Sequence, residues 1–200
     1  MVPPVVRSRG SVAVTAVAPL AVTGRRVPVR DRAEHNLGVI VIRRATAADA
    51  PFLREMLAVA VDWRADASAR SISELMADPA LARYVADWPR QGDVGFVAED
   101  GATPIGAAWW RLFSHHDSGY GFVDESTPEL STGVVAEARG GGVGTLLLRA
   151  LIGEARRSDL PALSLSVERD NPAAALYERL GFEARHREGG SVTMALTLGK

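Results

Sequence analysis

The residues whose types and spacing could do chemistry lie between Glu129 and Phe182. At their centre is Val134-Val135-Ala136-Glu137-Ala138-Arg139-Gly140-Gly141-Gly142-Val143-Gly144-Thr145. A β-branched pair leads into a glycine-rich loop behind Arg139. Leu146, Leu147, Leu148, Leu151 and Ile152 then form the apolar side of a helix reaching about Ser158. Strand, glycine loop and helix together present free backbone N–H groups and the positive end of a helix dipole to an anion. Glycine is needed because a phosphate must approach the backbone closely, where a Cβ would stand in its way. The stretch reads as a phosphate cradle, with a ligand-free glycine turn as the alternative for the loop taken alone. Two other cradles fail on residue type. A Walker A loop needs Gly-Lys-Ser/Thr, and Lys200 is the only lysine; a dinucleotide fingerprint needs glycine where Leu147 stands.

A second segment follows an alternating strand, Leu163-Ser164-Leu165-Ser166-Val167. It reads Asp170-Asn171-Pro172-Ala173-Ala174-Ala175-Leu176-Tyr177-Glu178-Arg179-Leu180-Gly181-Phe182. Asn171 suits an N-cap, Pro172 a first helical position and Gly181 a C-terminal stop. Together the two segments resemble the GNAT superfamily of acyl-CoA-dependent N-acetyltransferases. The first matches its Arg/Gln-x-x-Gly-x-Gly/Ala motif at Arg139–Gly144, and the second its Asn-Pro-Ala…Leu-Tyr-Glu-Arg-Leu-Gly-Phe motif. The resemblance covers roughly residues 39–198. Ala136, where proline is common, and Ala138, where a larger residue often sits, are mild departures that alter no N–H donor.

The resemblance implies an α/β fold with a mixed sheet, in the order β-α-α-β-β-β-α-β-α-β-β. The strand Glu129–Ala136 would splay from the strand Ala162–Val167, with Gly133 at a tolerated bulge. Acetyl-CoA would be the co-substrate, without a metal. Its pantetheine amides would pair with backbone near Val134, Val135 and Ala136. Its pyrophosphate would lie on the N–H groups of Gly140, Gly141, Gly142, Val143, Gly144 and Thr145, with Arg139 leading the loop and Asn171 steadying the arm. Glu129 is the candidate base, direct or through water, with a plain strand-start glutamate as the alternative. Tyr177 is the candidate acid for the leaving thiolate, with a core tyrosine as the alternative. The implied reaction is direct attack by a primary amine in a ternary complex. A non-catalytic acyl-CoA-binding sensor or interaction protein on the same fold is the rival reading. The acceptor would be a small-molecule or peptide amine, and a homodimer is open.

Composition narrows the rest. The chain has 200 residues, 47% of them hydrophobic, and a net charge of −1, which suits one globular domain and gives no support for broad nucleic-acid binding. Cysteine is absent, so no acyl-cysteine can form and no thiolate can hold a metal. A cytoplasmic location fits both this and the implied co-substrate. No run approaches the ~18 apolar residues of a membrane span. Residues 1–38 carry six arginines against Asp31 and Glu34 and lack a sustained period. Although Ser11–Val22 faintly resembles a signal peptide's apolar region, this segment is expected to be a disordered extension, with one domain over 39–200.

Along that domain, Thr46-Ala47-Ala48-Asp49 is expected to cap a helix with Phe52, Met56, Val59 and Ala60 inward. A second helical region, Ser71–Trp88, breaks near Pro79, with Leu75, Met76, Leu81, Tyr84 and Val85 inward. Asp62, Trp63, Arg64 and Asp66 lie where the resemblance puts the acceptor side. Val94–Glu99 and Ile105–Leu112 read as a hairpin whose adjacent Trp109 and Trp110 point to opposite faces, one into the core and one toward the acceptor cleft. His115 and His116 invite a metal, but no third ligand is identifiable. From Ser114 to Ala138 there is no Lys or Arg, while Asp117, Asp124, Glu125, Glu129 and Glu137 fall there. An acidic lip drawing in a cationic amine and a solvated loop are both open readings.

Overall fold

The computed structural model describes residues 25–28, 39–64 and 70–199, the first four by backbone alone. The strands are β1 (Arg25–Pro28), β2 (Val39–Arg44), β3 (Val94–Asp100), β4 (Thr103–Arg111), β5 (Glu129–Val134), β6 (Ala162–Glu168), β7 (Glu183–Glu188) and β8 (Ser191–Thr197). The helices are α1 (Ala50–Val61), α2 (Ile72–Ala77), α3 (Pro79–Ala82), α4 (Val143–Arg157) and α5 (Ala174–Arg179). From β2 onward this is the expected element order. One sheet holds all the strands in the order β1-β2-β3-β4-β5-β6-β8-β7. Every neighbour is antiparallel except β5 and β6.

The sheet is covered on both faces because β4 is apolar on both sides. Trp110 enters a core shared with Leu147, Leu148 and Leu151 of α4. Trp109 enters a second core with Leu53, Met56 and Leu57 of α1 and with Tyr84, Val85 and Trp88. The expectation that one tryptophan walls the cleft is corrected: both are buried, their indole N–H groups donating to Tyr84 O and Gly92 O, each at 3.0 Å. The reason is that helices or loops cover both faces at this position, leaving no side of β4 to a cleft.

Local chemistry sets the helices against the sheet. Asp49 accepts from the Thr46 N–H (2.7 Å) and hydroxyl (2.9 Å), closing a single tight turn before α1. The buried face of α1 is Leu53, Met56 and Leu57, rotated from the expected one, with Phe52, Val59 and Ala60 half-buried. Ser71 caps α2 by accepting from Glu74 N–H at 3.2 Å, and Pro79 starts α3 where a break is expected. Arg111, at the end of β4, is fully buried. It pairs with Asp93 and donates to the carbonyls of Arg83 (2.5 Å) and Ala86 (2.9 Å), so the segment carrying Tyr84 is bolted to the sheet.

Two further expectations change. Arg25–Pro28 pairs with β2, covering what would otherwise be an open sheet edge, so these four residues are not part of a structureless arm. The remainder of residues 1–38 lies outside the described residues. Gly133 forms no bulge, since β4 and β5 stay in continuous register from Gly106↔Val134 to Arg111↔Glu129. Its role is close approach: a Cβ at Gly133 would stand against the Met56 carbonyl oxygen of α1. Gly133→Ala is therefore expected to lift α1 from β5 and destabilise the protein by about 1–3 kcal/mol. That is a fall in Tm of roughly 3–10 °C on thermal unfolding.

Candidate active site

Although β5 and β6 are parallel neighbours, they meet only at Glu129↔Ser164, where Ser164 N–H also donates to Pro128 O at 3.0 Å. Beyond that point the strands part, and a cleft of about 1200 Å³ opens between them. Val135 N–H donates to Ile105 O at 3.0 Å. Antiparallel alternation then turns the backbone of Gly133 and Ser131 toward β4, and that of Val134 and Thr132 toward the gap. The unpaired edge of β5 is thus the wall of the cleft.

The glycine loop closes one end. Gly140 and Gly142 hold φ of +76° and +85°, and a Cβ on either would meet nothing within 4 Å. The first helical bond of α4 runs from Leu146 N–H to Gly142 O, leaving the N–H groups of Val143, Gly144 and Thr145 open at the helix start. Gly140, Gly142, Val143, Gly144, Thr145, Val134 and Arg139 all line the cleft. Arg139 Nε donates to Val134 O at 3.1 Å, tying the loop back to its strand. Gly141, Val135 and Ala136 are not among the lining residues. The strand ends at Val134, two residues earlier than expected, because Val135 N–H is spent on β4 and Ala136–Ala138 forms a tight turn. Ala136 opens that turn, its carbonyl accepting from Arg139 N–H at 3.2 Å. The space and donors left fit a diphosphate, with room at the glycines that any side chain would fill.

Asn171 and Tyr177 stand across the gap and line it. Regular helix begins only at Ala174, but Asn171 still caps the turn before it: its Oδ1 accepts from Ala173 N–H at 2.9 Å. Gly181, at φ +93°, ends α5 as expected, with Phe182 N–H returning to Tyr177 O at 3.0 Å. Tyr177 is largely buried, edge-on to Phe182, and its hydroxyl has no partner among the described residues. Burial pushes its pKa up, so the phenol stays protonated through the neutral range.

Glu129 sits at the other end of β5, 3% exposed. Its Oε1 accepts from the Tyr84 hydroxyl (2.7 Å) and from Gly121 N–H (2.8 Å), while Oε2 is buried without a partner. Desolvation raises its pKa to about 7, against the lowering effect of these two donors. Tyr84 accepts from Tyr120 N–H at 2.7 Å, and Gly119 and Gly121 let the loop press down on the carboxylate and on β6. Sequence reading places Tyr84 only in the core. Its contact with a residue 45 positions away leaves no local signal, and Gly119 and Gly121 show only as loop composition.

The acidic lip does not form as one group. Asp117 pairs with Arg83 at 2.9 Å, Asp124 is turned into its own loop by Ser126 and Thr127, and Glu125 accepts from His115 N–H at 3.1 Å. None of the three lines the cleft, nor does Glu137; its acidic lining is Asp78, Glu129, Glu168 and Glu188. Of the four residues expected on the acceptor side, Trp63 lines the cleft, Asp62 binds Arg70 (2.8 Å), and Arg64 binds Glu168 and Asp170; Asp66 lies outside the described residues. Among the described residues no three His, Cys, Asp or Glu converge as a metal site, and no helix is long and apolar enough to cross a membrane.

The model of the acetyltransferase (GNAT) family matches residues 57–182, the stretch holding α1's end, the parted strands, the glycine loop and Tyr177. The chain belongs to the GNAT acetyltransferase family. Solved structures agree with that placement. Ribosomal-protein-alanine N-acetyltransferase from Brucella melitensis is 29% identical with a TM-score of 0.58, over 78% of this chain and 99% of that one. The protein yncA from Salmonella typhimurium, solved with its cofactor acetyl-CoA, is 28% identical with a TM-score of 0.58, over 80% and 95%. The GNAT domain of S. lividans PAT shares the fold at 18% identity and a TM-score of 0.62, over 88% and 97%. A search of curated proteins found no match.

In this GNAT chain the Glu129 environment can be tested without any ligand. The glutamate carboxyl resonance that disappears in Glu129→Gln should titrate near 7 by 13C NMR, far above an ordinary ~4.3. Because burial raises the folded pKa above the unfolded one, the folded state binds this proton more tightly. Stability should fall as pH rises from about 4.5 to about 7, and Glu129→Gln should remove that part of the slope in Tm against pH. A midpoint in the ordinary carboxylate range would mean the site is wetter than its geometry shows.

Proposed function

We propose that the protein is an N-acetyltransferase that moves an acetyl group from acetyl-CoA to a primary amine, by direct attack in a ternary complex and in the cytoplasm. The observation that carries this reading is the parting of β5 from β6 above a glycine loop whose open N–H groups face the same cleft. Acetyl-CoA supplies the activated thioester. The loop N–H groups of Gly140 and Gly142–Thr145 hold its diphosphate, and the unpaired edge at Thr132 and Val134 receives the pantetheine arm. Solved relatives at 28–29% identity support the donor and the reaction class: one is named an N-acetyltransferase and the other was solved with acetyl-CoA.

The chain's own residues then divide the proton transfers. An alkyl amine is mostly ammonium at neutral pH, so it must lose a proton before or during attack. Glu129, with its pKa near 7, takes that proton, directly or through an intermediary. Tyr177, held protonated by burial, gives one to the departing sulfur. An N–H turned into the gap near Val134 stabilises the thioester oxygen as charge develops. The cleft lining carries Asp78, Glu129, Glu168 and Glu188 together with Arg70, Arg139 and Arg179, so its charge alone does not select the acceptor.

An amine panel of benzylamine, spermidine, L-lysine and an alanine-started peptide, assayed with acetyl-CoA for thiol release and acetylated product, tests the reading. Product with any of them supports transfer. Tight CoA binding with no product from any would turn the assignment to a binding protein. Tyr177→Phe should lower kcat by roughly 10- to 1000-fold with acetyl-CoA affinity within a few-fold, since the hydroxyl matters as charge builds on sulfur. A parallel loss of affinity would make the hydroxyl a ground-state contact instead. Gly142→Val should fold yet lose CoA binding by calorimetry, because valine disfavours φ of +85° and its side chain enters the diphosphate's space. Normal CoA affinity in a folded variant would reduce the loop to a turn.

A further inference from the structure

Neither oxygen of Glu129 is open to an incoming amine. Oε1 is filled by the Tyr84 hydroxyl and Gly121 N–H, and Oε2 lies buried against Gly119, where even one added carbon would collide with it. The cleft is lined by Tyr84 as well as by Glu129, and Gly119 flanks the Tyr84 hydroxyl too. That hydroxyl donates to Glu129 and accepts from Tyr120 N–H, which leaves one acceptor lone pair unused. The residue that carries it is held at its backbone and its ring. Trp109 Nε1 donates to Tyr84 O, Arg111 holds the preceding carbonyl, and the Tyr84 ring packs edge-on to Phe113 and stacks on Tyr120.

We propose that Tyr84 is the proton relay of the acceptor site, standing between the amine and Glu129. The inference rests on reading Glu129 as the base. In the step, the amine N–H proton passes to the Tyr84 oxygen while the Tyr84 O–H proton passes to Glu129 Oε1. Tyr84 ends as a neutral phenol, Glu129 as a carboxylic acid, and the nitrogen keeps the electron pair that attacks the thioester. Tyr84 never carries full charge in this concerted exchange, which suits a hydroxyl whose pKa is raised by burial and by the adjacent carboxylate. The groups around Glu129 leave little else to move a proton. From the loop come the backbone N–H groups of Tyr120 and Gly121. From β6 comes the buried Ser164 hydroxyl, which makes no hydrogen bond to it, and from β4 comes Arg111, whose guanidinium is spent on Asp93 and two carbonyls.

Tyr84→Phe keeps the ring and both aromatic contacts and removes only the hydroxyl. In the protein alone, the 13C titration of Glu129 should move up by roughly one pH unit, as a donor to its charged form is lost. An unmoved midpoint would overturn the proposal, since the hydroxyl would then not engage the carboxylate. With acetyl-CoA and the fastest amine of the panel, Tyr84→Phe and Glu129→Gln should each lower kcat/KM by about 100-fold, and the double variant should lose no more than about twofold beyond either. Losses that multiply, or a Tyr84→Phe rate within about threefold of the parent, would overturn the relay while leaving Glu129 as base. Full activity in Glu129→Gln beside a shifted titration would overturn the base reading itself, and the relay with it. Mixtures of H2O and D2O give an independent measure. A bowed dependence of the chemical step on deuterium fraction is expected for two protons in flight; a straight line would leave Tyr84 as a positioning residue only.

Discussion

Backbone hydrogen bonds in a sheet are normally satisfied by the next strand, and the site exists because one pairing stops short. β5 is fastened along its whole length to β4, and β6 along its whole length to β8, so neither strand can bend to rejoin the other after Glu129↔Ser164. The α1 carbonyl at Met56, seated on Gly133, holds β5 from the face, and α4 rises directly from its end. The result is a wedge of unsatisfied peptide groups that a donor rich in amides can complete.

The same parting explains why the two ends of the cleft differ in electrostatics. At the α4 end, open N–H groups and left-handed glycines present positive potential to solvent. At the Glu129 end, buried Trp109, Arg111 and Tyr84 seal a low-dielectric pocket in which a carboxylate is pushed toward neutrality. Anion binding wants water-accessible dipoles, whereas a carboxyl that titrates near neutral pH needs desolvation. One strand serves both because its ends lie in different surroundings.

The glycine loop, Asn171, Tyr177 and the element order were legible because each depends on chemistry local to a short segment: a φ that only glycine takes easily, a cap, a stop, a period. What was not legible depends on residues far apart in the chain. Tyr84 meets Glu129 across 45 positions, and nothing near either residue announces the other. Trp109 and Trp110 were correctly split between faces by alternation, yet burial of both required knowing that each face is covered. The acidic run from Asp117 to Glu137 looked collective because sequence shows charge without its partners. Arg83 answers Asp117 from outside the run, and Ser126 and Thr127 absorb Asp124.

Glu129 begins β5 and Val134 ends it, with the glycine loop only a few residues further. At about 3.3 Å per residue the strand spans roughly 17 Å between Glu129 and Val134. It is a ruler laid alongside the donor, graduated in peptide units and clamped at both ends. If the donor lies along it as proposed, a thioester on a carrier of the wrong length would be held by its phosphates with the acyl group short of Glu129 or past it. Chain length in the carrier, and not only its chemistry, would then be checked before any bond is broken.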